Sequence, residues 1–172
     1  STVAISDIWW GAGGSKVGQV IVYRINGSGV WLPMGDAQSG GQTSENLSWS
    51  MDLSSDGNIL AVGSKDYDDG GVNNRGKVTV YKYDNTNNEW DLLATIIDPN
   101  ARSSDNFGFA LDMNGDGSKI AIGARGDDSE LAHLATDDSG YSKTLKGRIG
   151  STQVYSIDIT SASPTATLVG SE

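Results

Sequence analysis

The segment Asp112-Met113-Asn114-Gly115-Asp116-Gly117 places three oxygen-bearing side chains at alternate positions of a short turn. Oxygen donors at that spacing are what a hard cation such as Ca²⁺ takes, which makes Asp112, Asn114 and Asp116 candidate metal ligands. The same residues also suit an Asp-Gly β-turn, with Asp112 and Asp116 capping backbone N–H groups. Upstream, Asp52, Ser54 and Asp56 stand at the same spacing, with a hydroxyl in place of the amide.

A second set combines acids with aromatic rings. Asp66, Asp68 and Asp69 surround Tyr67, and Asp127, Asp128 and Glu130 follow in a corresponding later stretch. Their spacing matches no fixed coordination motif and reads as a solvated acidic loop. The glycine-rich stretch DIWWGAGGSKVG from Asp7 adds Trp9 and Trp10, and a longer third loop contains Tyr141. Exposed rings beside carboxylates and amides suit a sugar face or a protein patch. Alternatively, Trp9 and Trp10 pack over the edge of a sheet. The ligand-binding candidates are therefore Trp9, Trp10, Tyr67, Asp68, Asp69 and Tyr141.

Catalysis finds little support. The single histidine, His133, has Asp128 and Ser129 close by in sequence, whereas a triad is assembled by the fold from separated segments. No glycine-rich phosphate loop precedes a helix. Carboxylate pairs of the kind glycosidases use are numerous in an acidic chain, which keeps a polysaccharide-active enzyme as a third reading.

Charge narrows the partners: 12 Lys and Arg against 22 Asp and Glu leave a net charge of −10, which repels phosphate backbones and anionic lipid. Neither nucleic-acid binding nor membrane insertion is expected, since no apolar run approaches the roughly 18 residues of a span. The chain contains no cysteine, hence no disulfide framework and no thiolate zinc site. Two sequons, Asn26-Gly27-Ser28 and Asn46-Leu47-Ser48, make Asn26 and Asn46 candidate glycosylation sites compatible with secretion.

These residues sit on a repeat. SENLSWSMDLSSDGNILAVGSK from Ser44 aligns without a gap with SDNFGFALDMNGDGSKIAIGAR from Ser104, sixty positions on. GQVIVYRI at Gly18, GKVTVYKY at Gly76 and GSTQVYSI at Gly150 also recur, and VAIS at Val3 matches LAVG at Leu60 and IAIG at Ile120. A unit of about sixty residues thus occurs nearly three times, a period that marks propellers, solenoids or arrays.

Each unit reads as four short strands. In the first, alternation predicts Leu47, Trp49, Met51 and Leu53 on one face, like Phe107, Phe109, Leu111 and Met113. In the second, Leu60 and Val62 oppose Ala61 and Gly63, a division that suits a sheet sandwiched between neighbours. The third ends in tyrosine (Tyr23, Tyr81, Tyr155), and the fourth is led by Trp31 or Trp90. Trp31, Trp49 and Trp90, all on strands, are expected in the core. Strands are predicted near residues 3–6, 18–25, 30–34, 47–53, 59–64, 77–83, 90–97, 107–113, 119–124, 152–158 and 165–170. A helical turn is hinted only at Ser129 to Ala135.

With Phe107-Gly108, Asp112, Asn114, Asp116-Gly117 and Gly123-Ala124, the chain resembles the FG-GAP repeat of integrin alpha-subunit propellers and of related extracellular proteins. The resemblance runs over nearly the whole chain, with Leu47-Ser48 in place of Phe-Gly in the middle unit. It implies an all-β fold: a β-propeller segment of about two and three-quarter four-stranded blades. The whole propeller would be seven-bladed, which takes roughly 420 residues. The units are about 1–43 (partial), 44–103 and 104–172 of a single segment. The resemblance also implies a calcium loop at Asp112, Asn114 and Asp116, although Ile120 stands where the family places a further carboxylate.

The functional expectation is a non-enzymatic extracellular or cell-surface module for adhesion or surface assembly. The 2–3 loops and 4–1 connections share one end of the blades and gather the aromatic and acidic candidates there. A carbohydrate-binding propeller is the alternative. Expected partners are a protein or glycan at the cell surface, and further blades from the same longer chain or another copy packing against both ends.

Overall fold

The computed structural model describes residues 1–126, 150–160 and 165–169. Asp127, Asp128, Glu130, His133 and Tyr141 lie outside them, as does the hinted helical turn. The described chain is all-β, in three four-stranded antiparallel sheets. The first contains β1 (Thr2–Asp7), β2 (Gln19–Ile25), β3 (Trp31–Pro33) and β4 (Gln38–Ser39). In the second, β5 (Ser50–Leu53), β6 (Ile59–Ser64), β7 (Lys77–Asp84) and β8 (Glu89–Ile96) pair in chain order. The third repeats that order with β9 (Phe107–Met113), β10 (Lys119–Ala124), β11 (Ser151–Ile157) and β12 (Ala166–Leu168).

Corresponding residues pair alike in all three sheets: Val3 opposes Tyr23, Leu60 opposes Tyr81 and Ile120 opposes Tyr155. The short β4 is absent from the sequence reading because Gln38-Ser39 carries no apolar alternation. It pairs with β2 beside β3, so the fourth-strand position is split in two after Pro33, which has no N–H for a ladder.

Core side chains divide by seam. Val20 and Val22 of the first sheet meet Leu47, Leu60, Val62 and Trp90 of the second. From the other face of the second sheet, Ala61, Val78 and Val80 meet Phe107, Ile120 and Ile122 of the third. The large and small faces read from the second strand therefore serve two different seams. Burying a side chain of the Leu60 or Ile122 kind contributes about 1.5–3 kcal/mol, and these seams bury it between sheets.

The first strand departs from simple alternation. Ser44, Asn46 and Ser48 have φ of 62°, 51° and 72°, and Ser104, Asn106 and Gly108 repeat them at 70°, 57° and 83°. These left-handed residues turn the chain before the ladder begins, so β5 starts at Ser50 and not at residue 47. Leu47 is consequently buried while Trp49 is 40% exposed, and the two do not share a face. Trp49 is thus not a core residue. Trp31, at 45%, is exposed too, on a strand of only three residues. Only Trp90 is buried as expected, and its indole N–H donates to the Met34 carbonyl at 2.7 Å.

Candidate functional site

The loop end is built by a contact that occurs twice among the described residues: in the first and second sheets, the connection between second and third strands is gripped by the connection that enters the next sheet. Ser44, Asn46 and Leu47 donate backbone N–H groups to the carbonyls of Ser15, Lys16 and Val17 at 2.6, 3.2 and 3.0 Å. Ser104, Asn106 and Phe107 do the same to Asn73, Asn74 and Arg75 at 2.9, 3.0 and 3.0 Å. The left-handed φ at alternate residues lets successive N–H groups reach one neighbour. Asn is among the residues that tolerate this backbone best.

Glu45 anchors the first of these grips and is completely buried. One carboxylate oxygen accepts the Gly41 and Gln42 N–H groups at 2.9 and 3.0 Å. The other accepts the Ser64 hydroxyl at 3.0 Å and pairs with Lys77 Nζ at 2.9 Å. Asp105 holds the corresponding place and is buried as well, accepting the Arg102 N–H at 2.6 Å. Neither acid was singled out in the sequence reading, although acidic residues sixty apart inside the echoed stretch were the available signal.

The acidic loop residues are engaged within the loop and with the connections that flank it. Asp66 accepts the Asn46 side-chain amide at 2.6 Å and pairs with Lys65, and its other oxygen receives Asn106 at 3.3 Å. Asp68 accepts the Asn74 N–H at 2.7 Å, and its backbone exchanges two hydrogen bonds with the Gln42 amide. Asp69 pairs with Arg75 at 2.7 Å, and Arg75 also donates to the Asp98 carbonyl. Of the two sequons, Asn26 is exposed in the β2–β3 hairpin, whereas the Asn46 side-chain nitrogen already donates to Asp66.

Aromatic rings crown this scaffold, and a cation lies over several of them. Lys16 Nζ is 4.2 Å from the Trp9 ring centre, Lys65 Nζ is 4.2 Å from Trp49, and Lys77 Nζ is 4.0 Å from Tyr67. Trp9 is 64% exposed and Trp10 is exposed as well, so neither is packed away over the sheet edge. Trp9 and Trp49 line one open hollow of about 350 Å³ at the seam between the first two sheets, with Asp7 beside them. The Trp49 ring also lies 5.8 Å from Phe109 of the third sheet. Trp49 is the member that alternation misplaced, and nothing in the period-2 pattern marks it as a surface residue.

This arrangement offers flat apolar faces, ammonium groups and a carboxylate, which is the chemistry of reversible docking. Among the described residues there is no histidine.

The β9–β10 turn, at the opposite end of the strands, uses its candidate ligands as turn caps. Asn114 accepts the Lys119 N–H at 2.8 Å, and one Asp116 oxygen accepts both the N–H and the hydroxyl of Ser118 at 2.9 and 2.6 Å. The Ser118 hydroxyl and N–H hold the Asp116 carboxyl below its ordinary range. Ser54, Asp56 and Asn58 repeat the pattern, and Asp56 is lowered by the Ser54 hydroxyl first and the Asn58 N–H second. Ile120 is buried in the core, so it contributes no oxygen. A different grouping, Asp84, Glu89 and Asp91 on the β7–β8 hairpin, brings three carboxylates within 4.8 Å and is capable of coordinating a divalent ion.

Against known families, one segment matches. Residues 90–141 match the FG-GAP repeat family. The described part of the matched stretch runs through β8, the gripping connection at Ser104–Phe107, β9 and β10. No curated protein matches the chain. Among the described residues, no helix is long and apolar enough to cross a membrane.

Proposed function

We propose that the chain is a non-enzymatic binding or structural module of an extracellular or cell-surface protein, with its three sheets serving as blades of a seven-bladed β-propeller. The partner docks on the loop end, at the hollow between Trp9 and Trp49. The observation that carries this reading is that pair of exposed tryptophans, each under a lysine, held at a seam by buried backbone contacts. A soluble domain that leaves large rings on a rigid rim concentrates binding energy there, since aromatic anchors dominate interfaces. Asp68, Asp69 and Tyr67 belong to the same rim as polar neighbours, with Trp10 beside Trp9.

A second reading, carbohydrate binding, is favoured by the flat Trp9 face beside the Asp7 carboxylate, which matches the apolar face and hydroxyls of a pyranose. A glycan array on the intact chain separates the two. Saturable glycan binding lost in both Trp9→Ala and Trp49→Ala establishes the carbohydrate reading. No glycan signal, together with a protein partner whose binding falls about tenfold or more in the same variants, establishes the adhesive one. Binding that ignores both variants refutes the site.

A further inference from the structure

We propose that Asn26, and not Asn46, is an N-glycosylation site, and that its glycan covers the exposed apolar strip of Val30, Trp31 and Leu32. Both asparagines stand in acceptor triplets, Asn26-Gly27-Ser28 and Asn46-Leu47-Ser48. The fold separates them, because a glycan is bulky and hydrated and is joined through the side-chain nitrogen, which has to reach solvent in the folded chain.

Asn26 meets that requirement. Its whole triplet and Gly29 are exposed in the β2–β3 hairpin. The Asn26 Oδ1 accepts the Ser28 and Val30 N–H groups, both at 2.9 Å, and its backbone N–H donates to the Val30 carbonyl at 2.9 Å. These bonds fix the side chain through its oxygen and leave Nδ2 without a hydrogen bond among the described residues.

Asn46 fails on each count. Its Nδ2 donates to the Asp66 carboxylate at 2.6 Å, its backbone N–H is bonded to the Lys16 carbonyl, and the two residues after it, Leu47 and Ser48, are each 2% exposed. The Ser48 hydroxyl is engaged as well, donating to the Gln19 carbonyl at 3.0 Å. A sugar on the Asn46 nitrogen would displace Asp66 and part the grip between the first two sheets. Although N-linked transfer takes place on the unfolded chain, a molecule modified there could not close that seam.

The second observation is the strip beside the hairpin. Val30, Trp31 and Leu32 are 51%, 45% and 49% exposed, three large apolar side chains in succession. Soluble domains scatter such residues singly, and an unbroken run marks a surface that something covers. An added strand is a poor cover: β3 has three residues and ends in Pro33, which has no N–H to give a ladder. A saccharide is a good one. Pyranose rings lay apolar C–H faces on an indole while their hydroxyls stay in water, and the attachment residue Asn26 is itself bonded to Val30, the first residue of the strip. The register of β1 on β2 sets Asp7 opposite Gln19 and Thr2 opposite Arg24, so the Asn26 hairpin lies at the far end of the strands from the Trp9 and Trp49 hollow. A glycan there leaves the docking end clear.

The inference takes from the reading above only that the chain is exported. The test sends the intact chain through the secretory pathway of a eukaryotic host and removes the N-glycans of the secreted, folded protein enzymatically in heavy-oxygen water. Each occupied asparagine then becomes a labelled aspartate, read by peptide mass spectrometry. Label is expected at Asn26 and not at Asn46. Because the host supplies export, an unlabelled Asn26 counts against the site and leaves the extracellular reading and the Trp9 and Trp49 assay standing. Label at Asn46 in the folded protein overturns the proposal equally. Hydroxyl-radical footprinting tests the cover: oxidation of Trp31 should rise about threefold or more when the glycan is removed, while that of Trp9 stays constant. The hairpin survives the removal, since the aspartate formed at residue 26 still offers an oxygen to the Ser28 and Val30 N–H groups. Equal Trp31 oxidation before and after removal overturns the covering.

Discussion

The Asp52 carboxylate of the second sheet accepts the Met113 backbone N–H of the third at 2.8 Å, sixty-one residues along the chain. It is a hydrogen bond between sheets, made where the first strands of two repeats run side by side, and its other oxygen receives the Leu53 N–H at 2.8 Å. Asp52→Ala leaves the Met113 N–H without its acceptor, which costs about 1–3 kcal/mol, while Asp52→Asn retains an acceptor oxygen and costs less. Urea denaturation of both variants checks the order. Equal loss in the two would mean that charge, and not the acceptor, matters.

Glu45 is the stronger anchor. Glu45→Ala strips the half-buried Lys77 of its partner and leaves two loop N–H groups without their acceptor, so a loss of about 1–3 kcal/mol is expected. Glu45→Gln should fall between this variant and the parent, since its amide still accepts from part of the set. Amide exchange adds a local readout: protection should drop first at Ser44, Asn46 and Leu47, whose donors form the grip on residues 15–17.

Much of this fold was legible because the repeat supplied two readings of the first strand and three of each of the others, with a tyrosine recurring in every third strand. What the sequence hid was conformational. A strict period of two assumes extended backbone throughout, and Ser48 and Gly108 break it with left-handed φ, which threw Trp49 onto the surface. The acids Glu45 and Asp105 were hidden for another reason. Asp and Glu are ordinarily solvent residues, and only the fold reveals two that cap a buried connection. The rim candidates Trp9, Trp10, Tyr67, Asp68 and Asp69 were found by composition, but their lysine partners come from other segments and only the fold joins them.

Acid should weaken the two hairpin turns together. Hydrogen bonds from Ser54 and Asn58 depress the folded Asp56 carboxyl below its ordinary value, and Ser118 does the same for Asp116. A depressed folded value means stability that is present above the unfolded carboxyl pKa and lost as pH falls through the folded one. Stability measured in urea should therefore decline below about pH 4, and a double Asp56→Asn, Asp116→Asn variant should show a shallower decline. An unchanged slope would remove these turns from the acid response.

The alkaline side has its own reporter. Burial, with the nearby Asp98 charge second, pushes the Tyr155 hydroxyl up to about 12. That hydroxyl donates to Gln153 at 2.7 Å, and the Gln153 amide donates to Asp98 at 2.7 Å, joining β11 to the connection after β8. Because the folded value is raised, this contribution is whole below the unfolded tyrosine pKa near 10 and is lost as pH rises through about 12. Tyr155→Phe should cost stability at neutral pH and flatten the fall between those limits. Equal slopes in parent and variant would show that another group governs it.

Calcium distinguishes the two duties of the β9–β10 turn. One Asn114 oxygen and one Asp116 oxygen already accept turn hydrogen bonds, and Ile120 offers none, so Asp112 and the second Asp116 oxygen remain as side-chain donors for an ion. Calcium takes six to eight oxygens, and so sparse a set places binding in the weak, millimolar range of extracellular modules. On the calcium proposal, micromolar Ca²⁺ leaves the melting temperature unchanged, and several millimolar raises it by about 2–4 °C, because a ligand of the native state alone stabilises it. Asp116→Ala should abolish that rise. A rise lost instead in Asp84→Asn, Asp91→Asn assigns the ion to the β7–β8 hairpin, where three carboxylates already converge. Coincident curves with calcium and with chelator would leave Asn114 and Asp116 as turn residues, held by hydrogen bonds like those of Ser54 and Asp56, and Asp112 as a strand residue.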